Sequence, residues 1–235
     1  MDDLGTMNTE RTLRGRSLLA FTLVEMLTVI TIMGIVAALV VTMGETASQK
    51  KKQVAVEGEK NKLITMIDSY HAKLNYYPPD NGNLAASAGN LANYEGLSAT
   101  NPLIYELTGA TNTGGGANLT VFNSTAAVSN LLASTYSKVF NRGGIANGDA
   151  AEPHNFFVPG PSTKEYAAYL AGSATTLPID GLLVPADLVP GKTTNFWHYD
   201  SSSSLRHNMG SYDLWAEFYI GTKNGALTII TNGNW

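Results

Sequence analysis

The hydrophobic positions of this chain are concentrated near its N-terminus. The segment Phe21–Met43 has 23 residues, and Glu25 is its only charged residue. A bilayer core about 30 Å thick is spanned by about 20 apolar residues of helix, so this segment predicts a transmembrane helix. The apolar region of a secretory signal peptide, at about 7 to 15 residues, is shorter. The pattern therefore favours an anchor over a cleaved secretion signal.

Charges around this segment predict its orientation. Arg11, Arg14 and Arg16 precede it, and basic residues tend to remain on the cytoplasmic side, so the rest of the chain should lie outside the cytoplasm. Glu25 is unusual, because a carboxylate at membrane depth costs about 2.5 to 3.5 kcal/mol on insertion scales. We therefore expect Glu25 to have a partner.

A helical pattern continues beyond the apolar segment. Residues 45–75 contain no proline, and Pro78 and Pro79 then remove two backbone donors. The pattern predicts one helix from Phe21 to about Tyr76, or about 80 Å at 1.5 Å per residue, with domain limits 21–77. Its second half has an apolar stripe of Leu63, Ile64, Ile67, Tyr70, His71 and Leu74, with Lys60, Lys62, Asp68 and Lys73 on the other positions.

The remaining 158 residues, 78–235, are enough for a globular head with its own core. Long helix and head together predict an α+β fold, with the second half of the helix on a small antiparallel sheet. Two helices are predicted in the head, Asn101–Gly109, with Asn101 as N-cap, and Ser124 to about Asn141. Three strands are predicted, Asn195–Tyr199, Asp213–Ile220 and Ala226–Thr231. A turn at Lys223–Gly225 joins the last two strands.

The start of the apolar segment resembles a known processing signal. The sequence Ala20-Phe21-Thr22-Leu23-Val24-Glu25 is similar to the class III signal of type IV pilins and type II secretion pseudopilins, although Ala20 stands where glycine is usual. The resemblance implies a leader of residues 1–20, cleavage by a prepilin peptidase between Ala20 and Phe21, N-methylation of Phe21, and packing of the helix into a filament core. Glu25 would pair with the terminal amine of a neighbouring subunit's Phe21, neutralising two costly charges.

The other end of the chain carries a second resemblance. Ser211–Trp215 and Asn232–Trp235 are similar to the closing signatures of the major pseudopilin, whereas residues 84–194 match nothing recognisable. Type IV pilins commonly have a disulfide here, and this chain has no cysteine, which favours pseudopilins. Pseudopilins usually hold this loop with calcium, but residues 221–235 contain no acidic side chain, so we expect no calcium site. Asp213 is the one candidate ligand. We expect the hairpin turn to hold the loop that calcium holds in pseudopilins.

Composition and motifs favour a structural role. Fifteen Lys and Arg against nineteen Asp and Glu give a net charge of −4, so no nucleic-acid partner is predicted. His198, Asp200 and Ser201 suggest a triad, and His198 with His207 suggests a metal pair, but no established catalytic motif accompanies them. We predict no enzyme, no cofactor and no metal site, and a flexible loop at Ser201–Ser204.

These observations predict a pseudopilin-like subunit of a type II secretion apparatus. The resemblance implies insertion in the bacterial inner membrane with a periplasmic head. It also implies several partners: the prepilin peptidase, other copies and other pseudopilins in the filament, the secretion platform and secretin, and membrane lipid. Two alternatives remain open, a minor pilin of a type IV pilus or DNA-uptake system, and a membrane-anchored binding module.

Overall fold

A computed structural model describes residues 21–84, 91–111, 118–121, 131–157, 162, 164–170, 178–223 and 225–235. The predicted leader, including Ala20, lies outside the described residues. The chain divides into two compact units, Met1–Thr46 and Ala47–Trp235, and each is treated separately below. The predicted α+β class is confirmed, because helices accompany small antiparallel sheets.

The first helix, α1, is Leu23–Leu74, within two residues of its predicted limits. It ends at Asn75, whose φ is 63° and whose backbone N–H donates to the His71 carbonyl over 2.8 Å. A left-handed residue at this position is a common way to end a helix, and asparagine tolerates it better than most residues.

The second half of α1 supplies one wall of the head core. Leu63, Ile67 and Tyr70, predicted from the apolar stripe, are fully buried, and Val56 and Met66 join them. The remaining stripe residues are partly buried: Ile64 and Leu74 pack against the core, and the His71 ring stacks on Tyr77. Burial on one face only is expected for a helix that covers a sheet.

Three small antiparallel sheets replace the single predicted sheet. The largest has the order β6-β7-β8, with α1 packed on the face that carries Leu214, Ala216 and Phe218. The strands are β1 (Ala110–Thr111), β2 (Asn118–Val121), β3 (Leu131–Leu132), β4 (Tyr166–Leu170), β5 (Pro178–Leu182), β6 (His198–Asp200), β7 (Asp213–Lys223) and β8 (Ala226–Gly233), in sheets β1-β2-β3, β4-β5 and β6-β7-β8.

The predicted C-terminal hairpin is confirmed, and the predicted third strand is shifted. Strands β7 and β8 pair antiparallel, with a bulge between Tyr219 and Gly221. Strand β6 begins at His198 rather than Asn195, because Phe196 instead forms an isolated bridge with Leu183.

Three short helices complete the head: α2 (Leu91–Ala99), α3 (Leu103–Thr108) and α4 (Ala133–Phe140). Helix α3 starts two residues later than predicted, and Asn101 Oδ1 accepts the Leu103 N–H over 3.2 Å. Its predicted end is confirmed at Gly109, where φ is 66°. A Cβ at Gly109 would also lie 2.7 Å from the His154 carbonyl oxygen, so this position requires glycine.

The second predicted head helix is wrong at its start. Leu131 and Leu132 belong to strand β3, paired with Leu119 and Asn118 of β2, and the helix begins only at Ala133. Branched apolar side chains fit a paired strand as well as a helix, and the short apolar stripe did not separate the two. Residues 124–130 of this prediction lie outside the described residues.

A buried carboxylate joins α1 to the rest of the core. Glu106 on α3 is completely buried. It accepts hydrogen bonds from the Tyr70 hydroxyl at 2.9 Å, the Ala146 N–H at 2.8 Å and the Asn147 N–H at 3.0 Å. Burial raises the pKa of Glu106 to about 7 even though these bonds favour the charged form. Its charge state therefore affects how firmly helix and loop are held.

We expect Glu106→Gln to remove part of the pH dependence of the unfolding free energy. Because the pKa of Glu106 is about 7 when folded against 4.5 ordinarily, its stabilising contribution is full below pH 4.5 and is lost as the pH rises through 7. The difference corresponds to about 3 kcal/mol. Unfolding of the full chain in detergent, measured from pH 4 to 8, tests this.

The matched control is Glu152→Gln, at an exposed position of the same head, and it should keep the wild-type slope. A Glu106→Gln variant with an unchanged slope would contradict the role assigned to Glu106. The glutamine should also cost about 1 to 3 kcal/mol at all pH values, because its NH₂ group must face one of the two backbone N–H donors.

Candidate functional site

The start of α1 is closed by a reciprocal set of hydrogen bonds between Thr22 and Glu25. The Glu25 N–H donates to Thr22 Oγ1 over 3.2 Å, while the Thr22 N–H and hydroxyl donate to Glu25 Oε2 over 3.0 and 2.9 Å. This is a capping box, in which the N-cap residue and the third helical residue satisfy each other's backbone donors. The sequence Thr22-Leu23-Val24-Glu25 has the required spacing, a signal that the sequence analysis did not use.

Over the stretch Leu23–Val40, α1 exposes every apolar side chain. Leu23–Val40 has a mean hydropathy of 2.4 over 18 residues, and none of it is buried in the protein. Phe21, just before it, is 69% exposed. By length and composition this helix can cross a membrane.

Its hydroxyl groups are already paired. Thr28 Oγ1 donates to the Val24 carbonyl over 2.8 Å, and Thr31 Oγ1 donates to the Leu27 carbonyl over 2.7 Å. Hydroxyls bonded back to their own helix add no unsatisfied donor in a lipid environment. Glu25 is therefore the one charged group in this segment that needs a partner.

A second candidate region lies in the head at residues 232–235, which we call the C-terminal clasp. Asn234 is its centre. Its Oδ1 accepts the Leu214 N–H at 3.0 Å and the Asn208 side-chain amide at 3.2 Å. Its Nδ2 donates to the Tyr212 carbonyl at 3.1 Å. One amide side chain thus joins the last strand to the start of β7 and the loop before it.

Stacked rings reinforce the clasp. The Trp235 ring lies 4.2 Å from the His207 ring and nearly parallel to it, at 8°. Its edge contacts Trp215, with centroids 5.7 Å apart. Burial of such aromatic surface stabilises the loop that carries His207 without any covalent link.

The clasp is also attached to α1 through Lys60. The stripe pattern placed Lys60 on the polar face, but it is only 8% exposed, so that expectation is wrong. Its ammonium donates to Asn232 Oδ1 and to the Gly233 carbonyl, the latter over 3.0 Å, and it pairs with Glu57 at 2.9 Å. A lysine can be buried when its donors are satisfied in this way.

The residues of this region do not fit calcium, the ion that the pseudopilin resemblance implies here. Asp213, the one candidate ligand, already accepts the His207 N–H at 2.6 Å and the Asn208 N–H at 2.9 Å, one on each carboxylate oxygen. Calcium needs 6 to 8 oxygen ligands, usually including several carboxylates. Within the described ranges there is no group of three or more His, Asp or Glu side chains placed for a metal. Hydrogen bonds, rather than the hairpin turn that we expected, therefore hold the loop that calcium would hold.

The predicted flexible serine loop is wrong, because buried carboxylates hold it. Asp80 Oδ2 accepts the N–H groups of Ser201 and Ser202, both at 2.8 Å. Asp200 Oδ1 accepts the N–H groups of Ser202 and Ser203, at 3.0 and 2.8 Å. The Arg142 guanidinium in turn pairs with Asp80 at 2.9 Å. Serine content alone did not reveal these partners, since Asp80 lies 121 residues before Ser201 along the chain.

The two chemical groupings considered from sequence are not assembled. His198 Nδ1 lies 2.8 Å from Ser98 Oγ, while the Ser201 hydroxyl donates to the Pro78 carbonyl. Burial lowers the pKa of His198 to about 4, so its ring is neutral at pH 7. His207 contacts Asp213 instead, over 3.1 Å, which separates the two histidines into different networks.

No known protein family, curated protein or solved structure matches this chain. The two resemblances at its ends therefore remain predictions.

The clasp gives a prediction about Asn234. Replacing it with alanine leaves the Leu214 N–H without its acceptor, and we expect a loss of about 1 to 3 kcal/mol of stability. Asn208→Ala removes a side-chain donor to the same Oδ1 but leaves the Leu214 N–H bonded to Asn234, so its loss should be smaller. Urea unfolding of the full chain in detergent, followed by tryptophan fluorescence, measures both. Equal losses would contradict the role given to Oδ1.

The same measurement tests the absence of calcium. The unfolding midpoint of the wild-type chain should be identical in calcium and in EDTA, because protein donors already occupy the carboxylate of Asp213. A midpoint that rises with calcium would show a site that these contacts do not provide.

Proposed function

We propose that this protein is a pseudopilin-like structural subunit of a type II secretion apparatus. The observation that carries the proposal is the apolar helix Leu23–Val40, which is fully exposed and has one carboxylate at its third helical position, directly after the Ala20-Phe21-Thr22 signal. A simple anchor requires no charge there. A helix that packs against identical helices does, because a charge pair can set their register.

Glu25 has two partners in this proposal. In the isolated subunit its Oε2 accepts both Thr22 donors, which reduces the cost of holding a carboxylate near the bilayer. In the filament its Oε1 accepts from the N-terminal amine of a neighbouring subunit's Phe21. That amine exists only after the bond between Ala20 and Phe21 has been cut, so processing creates the group that assembly needs.

The remaining steps follow from the same helix. The prepilin peptidase removes residues 1–20 on the cytoplasmic face and Phe21 is methylated. The processed subunit waits in the inner membrane with its head in the periplasm. The secretion platform then extracts it, and lateral packing of apolar helices replaces the lost lipid contacts. The role of the growing filament at the secretin is mechanical, and it catalyses no chemical step.

We expect Glu25→Ala to block assembly while leaving membrane insertion intact. The apolar segment becomes more hydrophobic, so insertion is retained, but the terminal amine of the next subunit loses its partner. Cross-linking of membranes followed by electrophoresis measures filament formation, and carbonate extraction measures insertion. Thr28→Ala is the matched control, since Thr28 is polar, lies on the same turn region and bonds only to its own helix; it should assemble normally.

Processing is tested separately by mass spectrometry of the membrane-purified protein, with and without prepilin peptidase. The proposal predicts a mature chain that starts at N-methyl-Phe21. An intact Met1 or Met7 terminus, together with no cross-linked filament from the wild-type chain, would instead favour a membrane-anchored binding module. Filaments that reach the cell surface would favour the minor pilin of a type IV pilus or DNA-uptake system.

A further inference from the structure

The β7–β8 hairpin reaches the end of the head from which the apolar helix departs. Strand β7 runs antiparallel to the second half of α1. At its start the Tyr212 hydroxyl lies 3.4 Å from Asp68 Oδ1, and at its end a Cβ on Gly221 would lie 3.1 Å from Gln49 Nε2. The hairpin tip, which we define as residues 222–223 and 225–229, is therefore next to the first turns of α1 that belong to the head.

Exposed apolar side chains gather at this end. Leu227 is 54% exposed and Ile229 is 45% exposed, whereas the next residue, Ile230, packs on the core. Because side chains alternate between the two faces of a strand, Leu227 and Ile229 lie on the outer face of β8, which is an edge strand. On α1, Val54 is 63% exposed and lines a shallow groove beside β8 together with Phe218.

Basic side chains accompany the apolar ones. Lys50 and Lys51 are exposed. Lys52 is held at the same level, in an ion pair with Asp187 at 2.6 Å and with its ammonium 5.8 Å from the centre of the Tyr219 ring. Lysines beside exposed aliphatic residues are the combination that an anionic lipid surface binds, since headgroup phosphates take the charge and the acyl boundary takes the apolar groups.

The chain itself keeps this surface near the bilayer. Gln49 lies nine positions after Val40, the end of the stretch Leu23–Val40. This connection spans about 14 Å if helical and about 30 Å if fully extended, whatever the orientation of the two units. Because the connection is so short, the head of every inserted copy, even an isolated one, meets lipid at a high effective concentration. A second copy of the chain would first have to be encountered by diffusion.

We infer that the hairpin tip of the head rests on the membrane surface from which its own helix emerges, with Leu227 and Ile229 at the headgroup level and Lys50 and Lys51 on anionic headgroups. The inference rests on the membrane insertion in the proposed function, but not on filament assembly. It gives the unextracted subunit a second membrane contact, which has to be released when the subunit leaves the bilayer.

The chain has no cysteine, so single labels can be placed cleanly. The full chain with Leu227→Cys, labelled with an environment-sensitive fluorophore, is reconstituted in phosphatidylglycerol–phosphatidylcholine vesicles that carry a headgroup-level nitroxide quencher. We expect a blue-shifted emission and loss of fluorescence. Met209→Cys is the matched control, because Met209 is apolar, 72% exposed and lies just before the opposite end of β7; its label should stay unquenched.

Charge is tested by the double variant Lys50→Gln with Lys51→Gln. A lysine near an anionic surface contributes about a fivefold factor in partitioning, so removing two should sharply weaken quenching at position 227. Replacing phosphatidylglycerol by phosphatidylcholine alone should weaken it in the same direction.

Two outcomes overturn this inference alone, and Ile30→Cys separates them from failure of insertion. If a label at 30 is quenched by an acyl-chain nitroxide while the label at 227 behaves like that at 209, the tip does not touch lipid. If the label at 227 is shielded only at high protein-to-lipid ratio and is not quenched, a second copy covers the tip. If the label at 30 is not quenched, insertion itself fails, and the proposed function fails with it.

Discussion

One helix of this protein combines a stretch that can cross a membrane with a stretch that packs into the core of the head, and the rest of the structure depends on that combination. Over Leu23–Val40 every position is apolar or bonded back to the helix, with Glu25 as the exception. From Val56 onward only one face is apolar, and that face is buried. Helical hydrogen bonding is the same in both stretches, so the side-chain pattern alone decides which environment each stretch can occupy.

Around its hydrophobic core, the head has several loops that are held by carboxylates accepting backbone N–H groups. Glu106, Asp80, Asp200 and Asp213 are all nearly or fully buried, and each binds at least two backbone donors in a loop. Such bonds are stronger than neutral ones, and they fix loop geometry without a disulfide or a metal. This solution is consistent with a chain that lacks cysteine and has few charged residues at its surface.

The predictable parts of the fold were those set by local patterns. The length of α1, its buried face at Leu63 to Tyr70 and the β7–β8 hairpin follow from periodicity and turn chemistry, which act over a few residues. Two of the errors share another cause. Lys60 and the serine loop are determined by partners more than 100 residues away, Asn232 and Asp80, and no local pattern encodes those partners. Strand β3 was missed because its apolar residues fit a helix as well as a strand.

The candidate site divides in the same way. Glu25 was identified because a charge in an apolar segment is conspicuous, and its bond to Thr22 follows from a four-residue spacing. The residues of the clasp were singled out only through the resemblance, and their contacts were not predicted, because an asparagine or tryptophan has no distinctive spacing to partners such as Leu214 and His207.

The clasp also constrains the order in which the head forms. Lys60 and Asn232 are separated by 172 residues, and closing so long a loop is slow, because its entropy must be lost before the contact forms. Until it closes, the ammonium of Lys60 lacks the partners that allow its burial, and the adjacent wall of α1 stays partly solvated. Local hairpin pairing between β7 and β8 can precede this step. It brings Asn232 and Asn234 into register with Ala216 and Leu214, so we expect the hairpin to form before α1 packs on it.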